Sequence, residues 1–135
     1  MAYAGYLLKV NGTEFPMKYI VEKSYIVHPD QRIDLDSGRD TTGVLHRAVV
    51  GHMPVKIEFN TLPLTNADVA EISRLLNLSR SNTQRKCTVQ YYNTETDSYA
   101  SATCYVPNLD YTIDWIDKAN NRVHYSAVRY AFIEY

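Results

Sequence analysis

The chain has 135 residues, 45% of them hydrophobic, and a formal net charge of −1. That is the length of one domain with enough apolar material for a core, and it excludes a disordered or fibrous chain. The near-neutral balance gives no reason to expect a nucleic-acid backbone or a membrane surface as partner, and no apolar run reaches the ~18 residues of a membrane span.

Met1 to Val10 has no basic region followed by an apolar core, so no secretory signal is expected there. Tyr6-Leu7-Leu8-Lys9-Val10 predicts a strand. Asn11-Gly12 predicts a type I′ turn, because both central residues of that turn need positive φ. Thr13-Glu14-Phe15 returns, and Pro16 ends the pairing. A second strand is expected over residues 20–27, stopped by His28-Pro29-Asp30.

Residues 31–50 read as a long polar hairpin that turns at Asp40-Thr41-Thr42-Gly43. Its descending limb, Arg32 to Ser37, alternates, but its polar face is too charged to bury against its own domain, so a projecting arm is expected. Val55, Ile57 and Phe59 then alternate inward. One helix is predicted over 65–77. It opens on Thr65-Asn66-Ala67-Asp68, a capping-box pattern, and carries an apolar stripe at Val69, Ile72 and Leu76.

Residues 86–135 predict two hairpins. In the first, pairing Asn93 with Ser98 places Tyr91 opposite Ala100, Val89 opposite Ala102 and Cys87 opposite Cys104. The other face carries Thr88 with Thr103, Gln90 with Ser101 and Tyr92 with Tyr99. One face is apolar, which is the test of a correct register. In the second, Asn120-Asn121 makes the turn. Pairing Ala119 with Arg122 sets Trp115 opposite Ser126 and Ile113 opposite Val128. The fold class expected is mainly β: an antiparallel β-sandwich or barrel in one domain, 1–135, with one flanking helix and a projecting β-hairpin.

No chemistry-bearing constellation stands out. There is no Gly-x-Ser-x-Gly, no Gly-rich phosphate loop, and no zinc spacing among His28, His46, His52, His124 and the cysteines. Cys87 and Cys104 are expected as buried thiols. Neither a catalytic residue, a cofactor nor a metal is expected. Asp30, Asp34, Asp36 and Asp40 alternate with arginines, which suits a salt-bridged surface better than a cation site. The predicted assembly contacts are therefore Arg32, Asp34, Asp36, Arg39, Asp40, His46 and Arg47. The 12 tyrosines, against 3 phenylalanines and 1 tryptophan, suit strands and also interfaces. An alternative site is a set of exposed aromatic platforms, Tyr92, Tyr99 and Trp115, for stacking on a glycan.

Three segments carry a family resemblance. They are Met1-Ala2-Tyr3-Ala4-Gly5-Tyr6-Leu7-Leu8-Lys9-Val10, the stretch Asp34-Leu35-Asp36-Ser37-Gly38-Arg39-Asp40-Thr41-Thr42-Gly43-Val44-Leu45-His46-Arg47, and Arg129-Tyr130-Ala131-Phe132-Ile133-Glu134-Tyr135. They resemble small proteins of unknown function from the tail modules of long-tailed phages and prophages of Gram-positive hosts. The layout is also similar to tail-tube and distal-tail proteins. That resemblance implies a structural subunit at the tube end or baseplate, with other copies in a ring, hexameric in that family, and other tail proteins as partners. It implies residence in the host cytoplasm during assembly and then in the virion tail. The alternatives it leaves are a cell-wall glycan-binding module and an assembly factor absent from the mature particle.

Overall fold

The computed structural model describes residues 2–29, 34–49 and 54–135. Its strands are β1 (Leu8–Val10), β2 (Thr13–Glu14), β3 (Ile26–His28), β4 (Asp34–Arg39), β5 (Leu45–Val49), β6 (Lys56–Asn60), β7 (Leu64–Thr65), β8 (Lys86–Asn93), β9 (Ser98–Tyr105), β10 (Ile113–Asp117), β11 (Arg122–Tyr125) and β12 (Arg129–Glu134). One α-helix, α1 (Asn66–Leu75), lies between β7 and β8, and 3-10 turns at Met17–Tyr19 and Glu22–Ser24 precede β3. The chain is mainly β, and every strand pair is antiparallel.

Seven strands form the main sheet in the order β2-β1-β8-β9-β12-β6-β3. The β8–β9 register runs from Lys86 opposite Tyr105 to Asn93 opposite Ser98, as the alternation predicts. Cys87, Val89 and Tyr91 are buried on one strand and Ala102 and Cys104 on the other, while Thr88, Ser101 and Thr103 face out. The Asn11-Gly12 turn also forms as expected, with φ of 51° and 85° and Val10 opposite Thr13.

The sheet curls strongly. On a flat sheet β3 would lie about 19 Å from β8, four strand spacings away. Yet Tyr25, immediately before β3, donates its Oη to the Tyr92 carbonyl of β8 at 2.9 Å. Inside the curl Phe59 stacks on Tyr130 and Phe132, and Phe15 meets Phe59 and Tyr130 edge to face, joined by Leu8, Ile57 and Val89. Helix α1 adds Ile72, the turn after it Leu76, and β7 adds Leu64 to the same core.

The helix begins where the sequence pattern places it. The Thr65 side chain accepts from the Asp68 backbone N–H and the Asp68 carboxylate accepts from the Thr65 N–H, closing the capping box. Tyr19 clamps this turn, donating to Asp68 at 3.1 Å and Glu71 at 2.7 Å. Burial alone would push the Asp68 carboxyl up, but the hydrogen bonds from Thr65 and Tyr19 outweigh it and hold it below its ordinary value.

Three local expectations differ from the structure. Residues 20–27 do not form one strand: Glu22–Ser24 is a 3-10 turn, closed by the Ser24 hydroxyl on the Val21 carbonyl at 2.6 Å. The hairpin of β10 and β11 is shifted by two residues, with Asp117 opposite Arg122 and Trp115 opposite His124. The Asp117 carboxylate accepts from the Ala119 and Asn120 backbone and from the Asn120 amide, holding a wider loop than a two-residue turn. Finally, residues 122–135 are not one strand. Strand β11 stays with β10 and β7 in a three-stranded sheet, and β12 crosses into the main sheet between β9 and β6.

Replacing Thr65 by Ala should destabilise the fold by about 1 kcal/mol, the usual cost of a lost N-cap, read from urea unfolding at neutral pH. Because the folded Asp68 carboxyl lies below its unfolded value, its contribution is present above pH ~4 and is lost as pH falls further. The penalty for Thr65→Ala should therefore shrink in acid, and an undiminished penalty at pH 3 would count against the capping box.

Candidate assembly interface

Strand β10 is an outer strand of the three-stranded sheet, and its far side pairs with no other strand among the described residues. Residues 111–116 are all exposed, an unusual run for a sequence that reads Tyr-Thr-Ile-Asp-Trp-Ile. Ile113, Trp115 and Ile116 keep 53%, 51% and 53% of their surface in solvent. A bulge at Asp114 breaks the register between Ile113 and Trp115. It puts Ile113 and Ile116 on one face and Trp115 on the other, so both faces of the ribbon are apolar. Trp115 stacks flat on His124, 4.0 Å between centroids and 3° between planes, which fixes its rotamer. The backbone is held from the inner side, by β11 and by the Ser126 N–H on the Thr112 carbonyl at 2.9 Å.

The sequence holds a signal for this ribbon that the hairpin reading passed over. Apolar-polar alternation fails at Trp115-Ile116, where two apolar residues adjoin; a bulge one residue earlier produces that phase change.

Strands β4 and β5 form a sheet of their own, hydrogen-bonded to no other strand among the described residues. The turn is built as its sequence demands. One oxygen of Asp40 accepts from the Thr42 N–H, the Thr42 hydroxyl and the Val44 N–H, and Gly43 takes φ of 87°. Residues 38–45 are all exposed, including Val44 and Leu45. Of the predicted contacts, Arg39 and Asp40 stand at this tip, with Arg39 donating to the Gly43 carbonyl at 3.0 Å. Asp34, Asp36, His46 and Arg47 occupy the two strands, in a register that pairs Asp36 with Ala48 and Gly38 with His46. Arg32 lies outside the described residues.

The three aromatic platforms do not form one surface. Tyr92 and Tyr99 neighbour each other on the outer face of the main sheet, 5.7 Å apart, while Trp115 belongs to the other sheet. Their hydroxyls serve the fold. Tyr99 donates to the Tyr6 carbonyl at 2.7 Å and accepts from the Ala4 N–H at 2.8 Å, and its ring stacks on Tyr6 at 4.6 Å. Tyr92 donates to Asp97 at 2.7 Å, a carboxylate that pushes the Tyr92 hydroxyl above its ordinary value. These tyrosines fasten residues 3–6 across the sheet.

The thiols are poor nucleophiles. Burial pushes Cys87 up to about 11 and Cys104 up to about 12, so the reactive thiolate is scarce at neutral pH. They face each other across β8 and β9 at a hydrogen-bonded position, in phase with the Val106 N–H bond to Arg85 two residues away. Side chains stand farther apart there than at the alternate pairs. Native protein should therefore resist a thiol reagent, and unfolding should expose both free cysteines. Rapid labelling of the native state would contradict this burial.

No described helix is long and apolar enough to cross a membrane. The chain belongs to a family of unknown function, DUF6711, whose model matches residues 1–135. No curated protein is similar to it in sequence. Two solved structures share its fold. One is a chain from the tail of an empty gene transfer agent (GTA) particle with C6 symmetry, 13% identical, with a TM-score of 0.55 over 99% of this chain and 95% of that one. The other is a chain from the virion of a native GTA particle, also 13% identical over the same shares of both chains, with a TM-score of 0.54.

Proposed function

We propose that this member of the DUF6711 family is a non-enzymatic structural subunit of a phage-type tail, at the tube end or baseplate, and that it works by docking on copies of itself and on other tail proteins. The observation that carries this reading is the likeness to the GTA tail chain, which spans nearly the whole of both chains rather than a shared piece. The C6 symmetry of that tail supports a ring of six copies here. Free, apolar strand edges are what a ring would cover.

The β4–β5 hairpin is the arm of this subunit, and Arg32, Asp34, Asp36, Arg39, Asp40, His46 and Arg47 make its contacts. Its point of insertion supports an assembly role. His28 at the end of β3 lies opposite Lys56 at the start of β6, so the chain leaves the main sheet and re-enters it at one place. The arm can then be removed without parting the strands that flank it. Aromatic glycan binding is less well supported, since Tyr92 and Tyr99 are tied to the N-terminal segment and Trp115 is remote from them.

Replacing residues 30–53 by Asn-Gly leaves β3 and β6 joined by a short hairpin loop, a closure of low entropic cost. This variant should keep its circular dichroism and a cooperative melt but lose incorporation into particles. An unfolded product would show that the arm is part of the core. Mass spectrometry of purified particles should find the wild-type chain in multiple copies per tail. Its absence would favour an assembly factor.

A further inference from the structure

Strand β10 has three properties that together select a partner. Its outer backbone edge pairs with no strand among the described residues, its apolar side chains lie on both faces, and its charge has one sign. Residues 110–117 hold Asp110, Asp114 and Asp117 and no basic residue. An edge of this kind templates another strand. A second β10 is a poor occupant, because a two-fold pairing would bring Asp114 toward its own copy in a desolvated seam. The contact must then be heterologous, and heterologous contacts generate rings or filaments.

The edges available on the same chain can be ranked. Strand β2 is two residues long and contains Glu14. Strands β3 and β7 are three and two residues long and carry no permanent charge. Strand β4 holds two aspartates against one arginine. Strand β5, Leu45-His46-Arg47-Ala48-Val49, has a basic residue, no acid, apolar residues at both ends and the same length as β10. It is also an outer strand of its own two-stranded sheet, paired only with β4 among the described residues. We infer that β10 of one copy pairs with the outer edge of β5 in the next, joining the arm sheet of one subunit to the three-stranded sheet of its neighbour. This rests on the proposed assembly role and names the surface that receives the arm.

Trp115, the only tryptophan of the chain, lies in the seam and reports on it. Self-association of the full-length chain would be followed by light scattering and tryptophan emission over a concentration series, with Asp114→Arg, Arg47→Asp and the two combined. Each single variant should weaken association about tenfold, as expected for a partly desolvated charge pair worth ~1.4 kcal/mol, and the double variant should recover it. Association of the wild type should move Trp115 emission to the blue, and Ile116→Lys should abolish both signals. Glu14→Arg, on the edge strand β2, should change neither. Association that is indifferent to the single variants, or not recovered by the double, would overturn the β10–β5 pairing while leaving the tail role intact. A wild-type chain that stays monomeric throughout would overturn the pairing as well, and the tail role would then stand or fall on the particle proteomics alone.

Discussion

An antiparallel sheet satisfies its backbone along every internal strand and leaves it unsatisfied at the two outer ones. Most of this molecule's surface design follows from that constraint. The main sheet disposes of it by geometry: it curls until Tyr25 beside one edge strand bonds to β8 near the other. Its edge strands β2 and β3 are two and three residues long. The smaller sheets have no such relief. Among the described residues, strands β4, β5 and β10 keep long unpaired edges, and β10 adds exposed Ile113, Trp115 and Ile116 to its edge. A domain that protects one sheet and leaves two open exposes its edges unevenly, on the β4–β5 hairpin and on the β10–β11 ribbon.

Local chemistry made much of this legible from the sequence. Asn11-Gly12, Asp40 to Gly43 and Thr65 to Asp68 each form as read, because the side chain or the glycine itself makes the turn or the cap. The β8–β9 register followed from alternation on two strands at once, since any slip by one residue would have turned Cys87, Val89 and Tyr91 to solvent. The exposed tip of the β4–β5 hairpin agrees with its composition, as its charge has no place in a core.

What stayed hidden depended on partners distant in sequence. Strand β12 alternates as well as any other, but nothing local says that it pairs with β6, some 70 residues earlier, rather than with β10. The second hairpin sits two residues out of its expected register because Asp117 caps a wider loop, and the bulge at Asp114 moves Ile113 by one residue more. The aromatic residues were the least readable. Tyrosine suits an internal strap and an external platform equally, and only the hydrogen bonds of Tyr92 and Tyr99 tell the two apart. The apolar edge at Ile113 to Ile116 was missed for a related reason: a sequence pattern shows which residues are apolar and does not show which of them have been left uncovered.

The position of β12 bears on how the chain is made. Without it, the main sheet is two separate ribbons: β2-β1-β8-β9, and β6-β3. No hydrogen-bonded ladder joins them until residues 129–134 enter between β9 and β6. On the ribosome, the chain must therefore hold two half-sheets open until this strand has cleared the exit tunnel, and the core aromatics Tyr130 and Phe132 arrive with it. Chains stalled before residue 129 would present two sticky edges to quality control, and the β4–β5 hairpin would be finished long before the main sheet.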